Sequence, residues 1–363
     1  MPILFRYLLR EYAKIFFMCF AGLMTIYLVI EFFERVRRFL RHDAEWLDIL
    51  IYFVLKMPGI AFQIAPLAIL MATLLTLGLL SRNHEITAMR SCGISLPWIT
   101  SPFLAFAACI TLVLLLFSAI VIPLASNEAE EIRVVRIEKK PPSATLKLSQ
   151  PWARVDAGTL LHVSSAAIGG STLGGVQLFR FDHAFHMIEM AEAEEAQFAD
   201  HAWTLYRGFH RRFNPDGTVT LKHFEQQSIP LTLLPNDFVG AFAGESESMT
   251  FRDILGYTSR LYQNGAQFRR LLTDYYGRIA FPFVTIIMVL VGIALSLRRS
   301  GTRGGSLAIG IGQALMVGFF YWAAHSVAIA FGRGGALPPI VAGWTTNTLF
   351  LSYALYLMLK VRY

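Results

Sequence analysis

The sequence predicts an α-helical membrane protein with six transmembrane helices, plus an inserted β-jelly-roll-like domain outside the cytoplasm. Two observations carry this reading. Six stretches, at about 15–33, 57–80, 94–126, 279–297, 304–332 and 334–359, are almost free of charge and long enough to cross a bilayer. A hydrocarbon core of about 30 Å needs roughly 20 apolar helical residues, because only a helix or a closed barrel satisfies its own backbone there. Three stretches precede a polar insert at about 127–262 and three follow it. The expected organisation is therefore an N-terminal membrane half at 1–126, the insert at 127–262 and a C-terminal membrane half at 263–363.

Composition supports the membrane class. Charged residues make up 16% of 363 residues, below the roughly 25% of soluble domains. The formal charge of +7 sits at the ends of apolar spans and in the insert, so it reads as topology and lipid contact rather than nucleic-acid binding. The three cysteines, Cys19, Cys92 and Cys109, all lie outside the insert, which must therefore fold on its core alone.

The first element is an N-terminal stretch with Arg6, Arg10 and Lys14 spaced by four, expected as a short amphipathic helix on the membrane surface. The following apolar run continues to Ile30 and ends in Glu31-Phe-Phe-Glu-Arg35, with no small-residue cleavage site, so it reads as the first span rather than a signal peptide. With both termini cytoplasmic, Lys and Arg number ten in the inner segments against six in the short outer ones, which leans with the positive-inside rule. In the insert, alternating runs at 160–163, 176–181, 203–206 and 218–221 are divided by Gly-Gly pairs and by Asn214-Pro-Asp-Gly217. These are strand and turn signals, and they predict a sandwich or jelly-roll. Thr250 with Asp253 resembles a capping box that opens a short helix back to the fourth span. Pro58, Pro66 and Pro282 are expected to bend their helices.

Four places carry candidate chemistry. The loop Ser81-Arg-Asn-His-Glu-Ile-Thr-Ala-Met-Arg-Ser-Cys-Gly93 predicts a short cytoplasmic helix at about 83–92, with Asn83 as N-cap and Gly93 as stop. Glu85 and Arg90 suit its two dipole ends, and Ile86 and Met89 form an apolar stripe. It is either a capped surface turn or a coupling helix that docks on a cytoplasmic partner. After the first span, Arg35, Arg37, Arg38 and Arg41 fall within seven residues. The guanidinium fork suits phosphate, while snorkelling beside Glu34, Asp43 and Glu45 is the alternative. Arg133 and Arg136, where the third span ends, are a second phosphate candidate. Glu31, still inside the apolar run, costs about 2.5–3.5 kcal/mol to insert unless it is paired or solvated, and so should face a cavity, a gate or a partner. No GxxxxGK[ST], HExxH, CxxC or GxSxG occurs. The chain reads as no enzyme, with no metal and no cofactor, and any ATP hydrolysis must come from a separate subunit.

The layout, together with Glu31-Phe-Phe-Glu-Arg35, Leu80-Ser-Arg-Asn-His-Glu-Ile-Thr-Ala-Met-Arg90, Gly93-Ile-Ser95, Arg278-Ile-Ala-Phe-Pro282 and Leu337-Pro-Pro-Ile340, resembles the lipopolysaccharide export permeases of the LptF/LptG family. The Phe-Phe-Glu-Arg and Leu-Pro-Pro segments look more like the G subunit. The resemblance implies an inner-membrane transporter of a Gram-negative bacterium with a periplasmic jelly-roll. It also implies an LptF-like partner in a heterodimer, two copies of an LptB-like cytoplasmic ATPase, a single-span LptC-like periplasmic bridge protein, and lipopolysaccharide as cargo. By the same resemblance Glu85 would meet the ATPase, and Arg35, Arg37 and Arg38 would meet lipid A phosphates. Some members carry a lysine where this chain has Glu31, a departure that bears on the phosphate site. A non-transporting receptor or assembly factor that uses the insert to bind a partner is the competing reading.

Overall fold

A computed structural model describes residues 2–40, 45–138, 145–147, 152–167, 171–182, 184–199, 202–214, 217–229, 234–235, 250–260, 266–299 and 307–360. The chain divides into two compact units, one of 1–40, 53–122 and 276–363, the other of 41–52 and 123–275.

The helices follow the apolar runs. They are α1 (Pro2–Leu40), α2 (Trp46–Arg82), α3 (Glu85–Ser91), α4 (Leu96–Leu116) and α5 (Ile122–Glu131), then α6 (Phe251–Arg260), α7 (Ala266–Ala280), α8 (Val284–Arg299), α9 (Leu307–Gly334) and α10 (Pro339–Leu359). Among the described residues, five continuous stretches are long and apolar enough to cross a membrane: Ile3–Arg37, Trp46–Arg82, Leu96–Glu131, Phe268–Leu297 and Ile309–Gly334. The expected sixth, α10, has 21 residues and so spans about 31 Å. The polar run Thr345-Thr-Asn-Thr348 interrupts its apolar sequence.

The stretch bearing Arg6, Arg10 and Lys14 is not a separate surface helix. It forms the first turns of α1, which runs unbroken for 39 residues; no proline follows Pro2 within it, and the single Gly22 does not end it. A π-turn at Phe117–Val121 joins α4 to α5, and a 3-10 turn at Phe281–Phe283, around Pro282, joins α7 to α8. Pro58 and Pro66 sit inside α2, which remains one helix.

The core of the first unit is drawn from α1 (Leu8, Tyr12, Phe16), α2 (Ala68 to Ala72, Leu77), α4 (Ile99, Phe103), α8 (Val284, Met288, Val291), α9 (Tyr321) and α10 (Phe350, Ala354). Close approach is by small residues: a Cβ on Gly292 of α8 would lie 2.8 Å from the Thr73 methyl of α2.

Among the described residues the insert carries one antiparallel sheet of seven strands. Five long strands follow one another as a meander: β3 (Thr159–Ala167), β4 (Thr172–Phe181), β5 (Met187–Ala199), β6 (Ala202–Phe213) and β7 (Val219–Ile229). Two short ones, β1 (Thr145–Lys147) and β2 (Trp152–Arg154), share the other edge of β3. Three of the four runs read as strands from the sequence lie within β3, β4 and β6, and the fourth, 218–221, starts in the turn and enters β7 at Val219. The turn at 214–218 is closed by Gly217 at φ +81 and by the Asn214 amide, which donates to Thr218 Oγ1. The buried face carries Leu161, Val163, Val176, Ala193, Trp203 and Leu205, and it packs against Ile254 of α6 and Leu271 of α7.

Strict alternation would bury every second residue, yet the buried positions step from Val163 to Ala166, from Leu173 to Val176 and from Ala193 to Ala196. The slipped row is Ser164, Gly175, Glu194 and Arg207, and it crosses four strands. Gly175 (φ +62) and Arg207 (φ +50) both adopt left-handed backbone there. A Cβ on Gly175 would stand 2.7 Å from Ser164 Oγ, so the crease needs glycine at that crossing. Helix α6 starts just after Thr250, whose carbonyl accepts from the Ile254 amide at 3.0 Å. The Asp253 side chain of the expected capping box lies outside the described residues.

Candidate functional site

The charged end of α1 is built by helical geometry. Glu31 and Arg35 are four residues apart, so they share a face, and Arg35 Nε donates to Glu31 Oε1 at 2.5 Å. Both are sheltered, with side chains 33% exposed for Arg35 and 14% for Glu31. This is the α1 face that packs on α2, where the Phe32 and Phe39 rings meet Phe53 at 5.6 and 6.3 Å. The lone carboxylate of the apolar run is thereby paired, which answers its insertion cost.

Arg37 is two residues on from Arg35, turned about 200° away around the helix, and it is exposed beside exposed Phe33 and Glu34. Among the described residues Arg37 makes no ion pair. The expected rim is thus split between a sheltered, partnered Arg35 and an open Arg37. The side chain of Arg38 and all of Arg41 lie outside the described residues.

The second candidate, Arg133 and Arg136, follows α5 in the π-helical turn Ile132–Ile137. Arg133 donates through Nε to Glu130 at 2.9 Å and lies 3.5 Å from Glu138. Arg136 lies 3.5 Å from Asp48. Both cations already have carboxylate neighbours, so a phosphate would have to displace them.

Helix α3 forms as expected, although its N-cap is His84 rather than Asn83. His84 adopts φ 60 and makes no side-chain cap. Asn83 instead donates to Glu85 Oε1 at 3.2 Å. Gly93 at φ +80 ends the helix as predicted. The Glu85 carboxylate also accepts from Tyr7 Oη of α1 at 2.9 Å. Ile86 and Met89 pack against the core of the membrane unit, so they anchor α3. Thr87, Ala88, Arg90 and Ser91 form its exposed side.

Sequence reasoning missed the polar contacts between helices. Tyr12 Oη lies 3.1 Å from Thr73 Oγ1, and Thr111 Oγ1 lies 2.6 Å from Thr285 Oγ1. At the Pro282 break, Asn347 of α10 donates to the Ala280 carbonyl at 2.6 Å and accepts from Tyr321 of α9 at 2.7 Å. Arg278 donates to the Ser118 carbonyl in the π-turn at 2.7 Å. An Asn inside an apolar run was the available signal, because a buried amide in a membrane helix must find partners. Among the described residues no group of three or more His, Cys, Asp or Glu could hold a metal.

The architecture of six apolar helices split by a β insert matches a known family over nearly its whole length. Residues 6–360 match the family described as lipopolysaccharide export system permease LptF/LptG. The chain is 22% identical over 351 residues to the lipopolysaccharide export system permease protein LptG of Haemophilus influenzae, covering 94% of this chain and 95% of that protein. It is 20% identical over 361 residues to LptG of Escherichia coli K12, covering 99% and 98%. With LptF of Escherichia coli K12 it shares 24% over 376 residues, covering 98% and 94%. The similarity takes in both helical halves and the insert.

Proposed function

Because this chain belongs to the LptF/LptG family of lipopolysaccharide export permeases, we propose that it is the membrane subunit of an ABC-type exporter. It draws lipopolysaccharide from the outer leaflet of the inner membrane and passes it through its β domain to a periplasmic bridge. The observation that carries this reading is the family match over residues 6–360, which leaves neither membrane half nor the insert outside it. The Phe-Phe-Glu-Arg35 and Leu337-Pro-Pro segments favour the G-type role, with an LptF-like chain as the other half of the permease.

The physics fits that task. Exposing acyl chains to water costs roughly 0.8 kcal/mol per CH₂, so several chains amount to tens of kcal/mol. No passive carrier supplies this, and the sequence has no phosphate-binding loop. The stroke comes from two copies of a cytoplasmic ATPase that meet α3, with Glu85 and Arg90 as contacts and Ile86 and Met89 as anchors. Arg35, Arg37 and Arg38 hold the lipid A phosphates, with Arg133 and Arg136 as a reserve site. A single-span bridge protein receives the lipid.

The test compares Arg37→Gln/Arg38→Gln with Arg37→Lys/Arg38→Lys in the purified complex, reading lipopolysaccharide retained and lipid-stimulated ATPase activity. Charge-assisted contacts contribute about 1.5–3 kcal/mol each, so the glutamine pair should weaken binding more than about tenfold. Lysine should restore part of it, since it returns charge without the fork. Normal retention and stimulation by the glutamine pair would remove the phosphate role from this end of α1.

A further inference from the structure

Glu31 and Arg35 form an ion pair where an incoming phosphate would bind, and the pair has two unequal members. The carboxylate is the more sheltered, at 14% exposed, while the guanidinium is 33% exposed and therefore reachable from outside. The pair runs from Glu to Arg at i, i+4 along α1, the favourable order for such a bridge. Arg37, on the opposite side of the same helix, is exposed and makes no ion pair among the described residues.

We infer that Glu31 is a built-in competitor for the anion bound at Arg35. Its carboxylate occupies the guanidinium while the site is empty, yields it to a lipid phosphate, and takes it back as the lipid leaves. The inference rests on the phosphate-binding reading above and adds to it a residue that limits affinity. Two features support it. A phosphate dianion outbids a single carboxylate for one guanidinium, so exchange is favourable. Once displaced, Glu31 is an unpaired charge in the last turns of an apolar run, which drives the pair to re-form. An arginine without such a neighbour would hold its phosphate longer, and an exporter must release its cargo. Arg37, exposed and without an ion pair among the described residues, would make the first contact, with Arg35 engaging after Glu31 gives way.

The experiment uses the purified permease–ATPase complex and two probes in detergent micelles, diphosphorylated lipid A and the same lipid A stripped of phosphate. Glu31→Gln keeps the shape of the side chain and removes its charge. It should tighten diphosphorylated lipid A by about three- to fivefold, the scale of one partly exposed ion pair, and slow its dissociation. The dephosphorylated probe should bind as before. Glu31→Asp, which keeps the charge, should stay near the parent. The double variant Glu31→Gln/Arg35→Gln leaves no buried charge unpaired and should bind diphosphorylated lipid A more weakly than the parent, because the Arg35 contact is gone. Equal or weaker binding of diphosphorylated lipid A by Glu31→Gln, with the double variant weaker than the parent, overturns the competitor role and leaves the phosphate site standing. If Arg37→Gln and the double variant both bind diphosphorylated lipid A like the parent, the phosphate site itself is wrong and this inference goes with it.

Discussion

Tyr321 Oη donates to Asn347 Oδ1 at 2.7 Å, and the amide of the same Asn347 donates to the Ala280 carbonyl at 2.6 Å. All of this happens where α7 gives way to a 3-10 turn at Phe281–Phe283. Proline at 282 has no N–H, so the carbonyl one turn earlier loses its helical donor and the backbone tightens into the 3-10 turn. The Asn347 amide of α10 adds a side-chain donor to the Ala280 carbonyl at this break. Tyr321 and Asn347 are 4% and 3% exposed, so water cannot substitute.

Asn347→Leu should destabilise the protein by about 1–3 kcal/mol, because it removes the amide's bond to the Ala280 carbonyl and leaves the buried Tyr321 hydroxyl without its acceptor. Tyr321→Phe leaves the amide–carbonyl bond intact and should cost nearer 0.6 kcal/mol, the usual scale of one hydrogen bond between membrane helices. Thermal unfolding in detergent, followed by helical circular dichroism, ranks the two. Equal midpoints for Asn347→Leu and the parent would show the break to be self-sufficient.

Gly208 tests the sheet in the same way. A Cβ there would stand 2.1 Å from the Glu192 carbonyl oxygen and 2.6 Å from the Phe224 ring. The ring can turn, but the carbonyl belongs to the paired backbone of β5. Gly208→Ala should cost upwards of about 1–3 kcal/mol and open β5–β7 to protease in the full-length protein. Gly59→Ala, in α2 with nothing within 4 Å of the new atom, should change neither.

How much of this was legible depended on the range of the interaction. Spans were readable because each helix satisfies its own backbone, so an apolar run alone declares it. The stop at Gly93 and the break at Pro282 were readable for the same local reason. Strand β5 was not: Met187-Ile-Glu-Met-Ala-Glu-Ala-Glu-Glu-Ala-Gln-Phe-Ala199 is rich in helix formers. It is a strand because β4 and β6 pair with it along both edges, and its small Ala191, Ala193 and Ala196 fit the crowded face. The arginine rim was read from sequence proximity, whereas helical rotation separates Arg35 from Arg37. Asn83 suits a cap by type, yet its side chain is drawn to Glu85 and the left-handed His84 takes the cap position. The partner of Glu85 lies 78 residues away in α1, beyond any local pattern.

That partner leads to a third expectation. Tyr7 Oη donates to Glu85 at 2.9 Å, linking α3 to the start of a 39-residue helix whose other end carries Arg35 and Arg37. Tyr7→Phe removes one exposed hydrogen bond and should leave folding within about 0.5 kcal/mol. Lipid-stimulated ATPase activity should nevertheless drop severalfold in the complex, if motion at α3 reaches the lipid through α1. Glu85→Lys should abolish stimulation while expression stays normal. Full stimulation in Tyr7→Phe would confine the role of Glu85 to the ATPase side.

The last expectation concerns sidedness. Helix α3 follows two of the membrane-length stretches and the β insert follows three, so if each stretch crosses once the two are expected on opposite sides of the membrane. The ten Lys and Arg in the segments on the α3 side, against six in the short segments on the other, favour a cytoplasmic α3. Thr87 is exposed on α3, and Thr218 is exposed at the turn between β6 and β7. With Cys19, Cys92 and Cys109 replaced, each of these positions can carry a single cysteine. A membrane-impermeant maleimide added to intact spheroplasts should label Thr218→Cys and leave Thr87→Cys untouched until the membrane is permeabilised. Labelling of both before permeabilisation would contradict the three-crossing count, and labelling of Thr87→Cys alone would invert the orientation and put the β domain in the cytoplasm.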